Sequence, residues 1–272
     1  MFRFALLLTL ASFSLHAQTI ERVISLAPSA TELAYAAGLG DKLIAVSDRS
    51  DYPEFAQDLE KVANYQGINI ERIITLQPDL IIAWPSGNPA KDLAKLRQFG
   101  FTFYDSQATS LDDIARNIEQ LSQYADDPSI GLKAAQNFRQ SLAELKQKYH
   151  TEQPVSYFYQ LSEKPIITVA NGHWPSEVFS FCGGKNVFAE SSASYPQVGL
   201  EQVILANPEV IFTSRHAIDN TTMWQPWKEQ LQALQNEQIW VLNSDWLNRP
   251  TQRTLRAIEQ VCELFETVRQ KR

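Results

Sequence analysis

The chain of 272 residues carries 24 Lys and Arg against 31 Asp and Glu, a formal charge of −7, with 44% hydrophobic and 20% charged residues. That balance suits a globular protein with a buried core, in one large domain or two modest ones, and argues against the clustered positive footprint of a nucleic-acid binder. No run approaches the 18 or so consecutive apolar residues of a membrane-spanning helix, so membrane insertion is not expected either.

At the N-terminus Arg3 precedes the apolar stretch Phe4–Ala11, and small and polar residues run on to Ala17. One positive charge, a short apolar core and a small residue at its end predict a secretory signal peptide over residues 1–17. No Cys follows the apolar core, so a lipid anchor is not indicated, and the mature chain is expected to be soluble outside the cytoplasm. Its two cysteines, Cys182 and Cys262, are an even count in an exported chain and point to a disulfide. That bridge would close a loop of about 80 residues, valued at roughly 4 kcal/mol by chain entropy; two buried free thiols are the alternative.

From Arg22 the pattern is α/β. Arg22–Leu26 reads as a buried strand, and Pro28–Glu32 opens a helix that ends at Gly38 or Gly40. Further strands are predicted at Lys42–Val46, Leu80–Trp84 and Phe101–Tyr104. Strands alternating with helices mean a mostly parallel sheet. From Ile130 to Tyr149 apolar residues recur at three- and four-residue steps, with Pro128 before and Pro154 after, which predicts one long amphipathic helix. The strand pattern then restarts at Val155–Tyr159 and Pro165–Val169, followed by a helix at Ser176–Cys182 stopped by Gly183.

The restart is a repeat. Ile70-Glu71-Arg72-Ile73-Ile74-Thr75-Leu76-Gln77-Pro78-Asp79-Leu80-Ile81-Ile82 aligns without gaps on Leu200-Glu201-Gln202-Val203-Ile204-Leu205-Ala206-Asn207-Pro208-Glu209-Val210-Ile211-Phe212. A weaker echo sets Glu32 and Gly38 on Glu177 and Gly183 at equal spacing. The expected organisation is a signal peptide (1–17), an N-terminal α/β lobe (18–126), a linking helix (127–152) and a C-terminal α/β lobe (153–272).

Two such lobes leave a crevice, and ligands of open α/β sheets sit beyond the carboxyl ends of strands. Residues just after strands therefore carry the functional expectation. Tyr65, Trp84, Trp174, Tyr195 and Trp246 suggest a wide pocket for a large, flat, partly apolar ligand. Asp245 and Arg249 either orient that ligand or form a local ion pair. No nucleophile elbow, phosphate-cradling loop or His-Glu-x-x-His motif occurs, which favours binding over catalysis. His150, His173 and His216 are scattered, and only His173 falls near the crevice.

Val23-Ile24-Ser25-Leu26-Ala27-Pro28-Ser29-Ala30-Thr31-Glu32-Leu33-Ala34, Ser50-Asp51-Tyr52-Pro53 and Tyr65–Ile73 resemble the periplasmic cobalamin-binding proteins of bacterial ATP-driven importers. Pro196-Gln197-Val198, Glu201-Gln202-Val203 and Ser244-Asp245-Trp246 extend the resemblance over essentially the whole mature chain. It implies two lobes joined by one rigid helix, a Cys182–Cys262 disulfide, a periplasmic monomer, and cobalamin as transported ligand with no catalytic residue, metal or cofactor. Glu71 and Glu201 fall on the family's two carboxylates that dock onto permease arginines. Without the resemblance, each reads as favouring its own helix N-terminus by about 0.3–1 kcal/mol. Ligand contacts fall on Arg49, Tyr65, Trp84, Tyr195, Asp245, Trp246, Leu247, Asn248 and Arg249. Tyr65 and Tyr195 stand where the family more usually has Trp. Arg49 replaces a pocket Tyr, exchanging a stacking ring for a cation that can lie flat on a corrin or donate to its amides. Haem, with His173 or Tyr65 as axial ligand, or a ferric siderophore held by Arg49 and Arg249, is the alternative cargo.

Overall fold

The computed structural model describes residues 19–214 and 222–272. The predicted signal peptide and His216 lie outside them. In chain order the first half runs β1 (Val23–Ser25), α1 (Pro28–Ala36), β2 (Leu43–Ser47), β3 (Glu60–Asn64), β4 (Gly67–Ile68), α2 (Ile70–Leu76), β5 (Leu80–Ala83), α3 (Ala90–Gln98), β6 (Phe103–Asp105) and α4 (Leu111–Ser122). These strands form one sheet in the order β4-β3-β2-β1-β5-β6, parallel throughout except for the β3–β4 hairpin. Leu80, Ile81, Ile82 and Ala83 are all fully buried, the continuous apolar run of a parallel strand covered on both faces.

After α5 (Pro128–Lys148) come β7 (Val155–Gln160), the hairpin β8 (Ser162–Glu163) and β9 (Ile166–Ile167), α6 (Ser176–Phe181), β10 (Gly184–Asn186), α7 (Leu200–Ala206), β11 (Val210–Ser214), α8 (Gln232–Gln235), β12 (Ile239–Leu242), α9 (Ser244–Leu247) and α10 (Thr254–Gln270). The second sheet has the order β10-β7-β11-β12, all parallel. The molecule is thus two mostly parallel α/β lobes joined by one long helix. The strand expected at Pro165–Val169 shrinks to β9, which pairs with β8 and, through Ile167, bridges to Gln197. Pro165 sits in the turn between them and has no N–H to give a ladder, so the run never enters the main sheet.

The internal repeat is visible in the backbone. α2 and α7 each end on a left-handed residue, Gln77 at φ 45° and Asn207 at φ 42°, before a buried proline and the strand that follows. The acid after each proline has the same task. Asp79 Oδ2 accepts the backbone N–H groups of Glu21 and Arg22 at 2.9 Å, beside the start of β1. Glu209 Oε2 accepts that of Ser156 at 2.8 Å, on β7. Gly38 and Gly183, the outer echo, both follow a helix with φ of 86° and 78°, a conformation that side chains resist.

α5 opens on Pro128, with the Asp127 carboxylate accepting the Ser129 N–H at 2.9 Å. Its buried Phe138 and Leu145 belong to a core that is continuous from Val23 and Leu33 to Tyr157, Phe212 and Phe265. Arg139 ties the helix to Asp112 and Glu119 of α4, and the Tyr149 hydroxyl donates to Glu263 of α10 at 3.3 Å. A Cys182–Cys262 disulfide joins the end of α6 to α10 across 80 residues of sequence.

Candidate ligand cleft

Trp84 is the first residue beyond β5. Its N–H donates to Asn88 Oδ1 at 2.7 Å, and Asn88 Nδ2 donates to the Leu26 carbonyl at 2.8 Å, which ties this loop to the end of β1. Gly87 lies against the indole so closely that a Cβ there would fall 2.0 Å from its six-membered ring. On the opposite lobe Trp174 is buried, its Nε1–H donating to the Leu247 carbonyl at 2.9 Å. The half-exposed Tyr195 donates from its hydroxyl to the Trp174 carbonyl at 2.9 Å, and burial raises its phenol above the ordinary range. His173 and Asn248 complete this wall. Asn248 Oδ1 accepts from the hydroxyl of Tyr159, which burial pushes up to about 12.

These walls enclose a cavity of about 740 Å³, within the usual range of small-molecule sites. It draws Trp84, Gln107 and Thr109 from the N-terminal lobe and Leu161, Tyr195 and Asn248 from the other. No Lys or Arg, and no Asp or Glu, is among the described residues that line it. Aromatic and neutral polar surface of this kind offers stacking and a few orienting hydrogen bonds.

Beside the cavity the lobes are bridged by charge. Arg249, between the lining residues Asn248 and Pro250, reaches Glu32 at 3.2 Å and Asp51 at 2.6 Å, both on the N-terminal lobe, and Asp245 at 2.9 Å on its own. Its Nη2 also donates to the Arg49 carbonyl at 3.2 Å. Arg253 pairs with Glu32 as well and stacks over Tyr52, 4.4 Å from the ring centroid. Partial burial opposes ionisation of Asp51, but the hydrogen bond and charge of Arg249 outweigh it and lower the carboxyl below its usual range. Burial likewise works against the charge of Arg249, and its three carboxylates more than offset that. The echo position, Glu177, has no arginine partner among the described residues: burial raises its carboxyl, and Asp113 of α4 adds like charge.

The expected site residues therefore separate. Trp84, Tyr195 and Asn248 come together on the cavity, whereas Asp245 and Arg249 lie in the bridge. Arg49 is exposed and joins that bridge through its backbone, at a left-handed φ of 62°. Tyr65, 90% exposed, stands on the β3–β4 turn and does not line the cavity. Leu247 is fully buried in the core. Trp246 lines a different cavity, of about 410 Å³, with the Arg256 guanidinium 5.5 Å from its ring. Gln107, Thr109, Leu161 and Pro250 were not anticipated, although the first three follow β6 and β7 and obey the strand-end rule. Glu71 and Glu201 are exposed in the first turns of α2 and α7, with neither side chain paired among the described residues.

A crevice between two parallel α/β lobes, held by a single helix, is the architecture of a solute-binding protein. Residues 23–246 match the Periplasmic binding protein family, and the chain belongs to that family and to the periplasm. Its relatives narrow the class. The Vitamin B12-binding protein of Vibrio parahaemolyticus serotype O3:K6 is 66% identical over 262 residues, spanning 96% of this chain and 95% of the relative. That of Yersinia pseudotuberculosis serotype O:1b is 44% identical over 268 residues, 98% of this chain and 94% of the relative. The crystal structure of the periplasmic vitamin B12 binding protein BtuF of Vibrio cholerae superposes with a TM-score of 0.89 at 64% identity, covering 92% of this chain and 98% of that one. A periplasmic haem-binding protein, RhuT from Roseiflexus sp. RS-1, superposes with a TM-score of 0.79 at 20% identity over 92% of this chain and 99% of that one, and shares the fold alone.

Proposed function

We propose that this protein captures cobalamin in the cavity between its lobes and delivers it to an ATP-driven importer, acting as a carrier and not as a catalyst. The observation that carries the reading is identity of about two thirds, over nearly the whole chain, to proteins named for vitamin B12 binding. The uncharged aromatic walls are consistent with it: Trp84 and Tyr195 offer flat surface to a macrocycle, and Asn248, Gln107 and Thr109 offer hydrogen bonds to its amides. A ferric siderophore fits poorly, because Arg249 is already engaged by three carboxylates and no Lys or Arg lines the cavity among the described residues.

Glu71 and Glu201 are the residues for the permease. They sit at equivalent places in the two halves of the repeat, one per lobe, which suits a partner with two-fold symmetry. Glu71→Ala combined with Glu201→Ala is expected to spare cobalamin binding and to abolish most transport; transport at the unmodified rate would remove the docking role.

The cargo is tested by colour. The mature chain is mixed with cyanocobalamin or with haemin, dialysed, and its visible spectrum recorded. One retained corrinoid per chain is the expected result. Retention of haemin alone would transfer the reading to haem, and retention of neither would end it.

A further inference from the structure

His173 stands in the cleft on a loop fastened around it. Its carbonyl accepts the Ser176 N–H at 2.8 Å, and its neighbour Trp174 is held from both ends by Leu247 and Tyr195. The imidazole is exposed to the cavity, 6.3 Å from the Tyr195 ring between centroids, and makes no hydrogen bond or ion pair among the described residues. Apart from that ring contact, nothing among the described residues around it explains a histidine as a packing or bridging residue.

Among the described lining residues His173 is the one side chain able to donate a nitrogen lone pair to a transition metal; neither Cys nor Met lines the cavity with it. The described residues also hold no group of three or more His, Cys, Asp and Glu that could bind an ion. One imidazole does not make a site for a free metal. It can, however, complete the coordination of a metal that arrives with its other ligands in place. A corrinoid is such a molecule, its ring nitrogens holding cobalt and, in the aquo form, an exchangeable water holding an axial position.

We propose that His173 is an axial ligand for the cobalt of the bound corrinoid, so that the cleft favours forms whose axial position exchanges. The inference rests on the cobalamin reading given above. In the step, the cobalt–water bond breaks and water leaves to solvent, while the lone pair of the neutral imidazole forms a cobalt–nitrogen bond. The cobalt stays trivalent, and no electron or proton is transferred.

The test begins with the unmodified mature chain. It is mixed with aquocobalamin at neutral pH and dialysed, and its visible spectrum is compared with that of aquocobalamin titrated with free imidazole. An imidazole-ligated spectrum is expected, whereas bound cyanocobalamin, its axial position closed by cyanide, keeps the spectrum of the free vitamin. Aquocobalamin retained with its aquo spectrum overturns the axial role and leaves the carrier reading standing. Failure to retain either corrinoid overturns the carrier reading itself. In His173→Ala, aquocobalamin is expected to keep its aquo spectrum and to bind about tenfold more weakly, while His150→Ala, beyond the linking helix, reproduces the unmodified spectrum. An imidazole-type spectrum that survives His173→Ala also overturns the assignment. The first measurement needs no substitution, so the proposal is decided even if a variant fails to fold.

Discussion

Arg253, at the start of α10, reaches back 221 residues to Glu32 of α1, its Nε donating to Oε2 at 2.9 Å and its Nη2 to Oε1. The Glu32 side chain is only 4% exposed, so the lobes meet over a buried carboxylate shared by two arginines. Removing Glu32 leaves the largely buried Arg253 without its carboxylate partner and takes from Arg249 one of its three. Glu32→Ala is expected to lower unfolding free energy by about 3–5 kcal/mol in urea titration. A loss below about 1 kcal/mol would show that the bridge does not hold the lobes.

Glu177 predicts the opposite behaviour. Burial, helped by Asp113, raises its carboxyl, so the folded chain binds this proton more tightly than the unfolded chain does. Its contribution is therefore most favourable below the ordinary Glu range and is lost as pH rises through the raised value. Glu177→Gln removes that loss and is expected to raise Tm at neutral pH. The gain should remain under about 1 kcal/mol, because water screens a partly exposed group, and should vanish in acid. Equal Tm values at neutral pH would refute the claim.

Gly87 sets the pose of Trp84 by having no side chain. In Gly87→Ala the new methyl would overlap the indole, and the ring must leave its place on the cleft. Corrinoid affinity is expected to fall by about tenfold, or 1.4 kcal/mol, with a change in the near-ultraviolet circular dichroism of the tryptophans. Unchanged affinity with a changed spectrum would mean that the indole does not touch the ligand.

The two strand-end tryptophans should part company in calorimetry. Trp84→Ala, on the cavity, is expected to weaken corrinoid binding by at least tenfold. Trp246→Ala, under Arg256, should leave affinity nearly unchanged and cost about 2 kcal/mol of stability through lost packing. Comparable losses of affinity in both variants would return Trp246 to the ligand site.

α9 explains why the site was only partly legible. Asp245, Trp246, Leu247 and Asn248 are consecutive, and the sequence offers no reason to separate them. On a helical turn, successive side chains leave the axis about 100° apart. The same four residues accordingly supply a bridge carboxylate, a ring facing α10, a core side chain and a cavity amide. Gln107 and Thr109 escaped notice for a different reason: polar loop residues carry no pattern until another lobe stands opposite them.

The amino-acid order alone determined the alternation of strands and helices, the long helix between Pro128 and Pro154, and the duplication that aligns Asp79 with Glu209, because caps, prolines and apolar runs act on their near neighbours. Only the tertiary structure decided that those two acids hold the backbone of adjacent strands, that Arg249 and Arg253 close on Glu32, and that His173 faces the cavity. Each of those contacts joins residues that are far apart along the chain or turns a side chain towards a surface supplied by the other lobe. Local preference is silent on both.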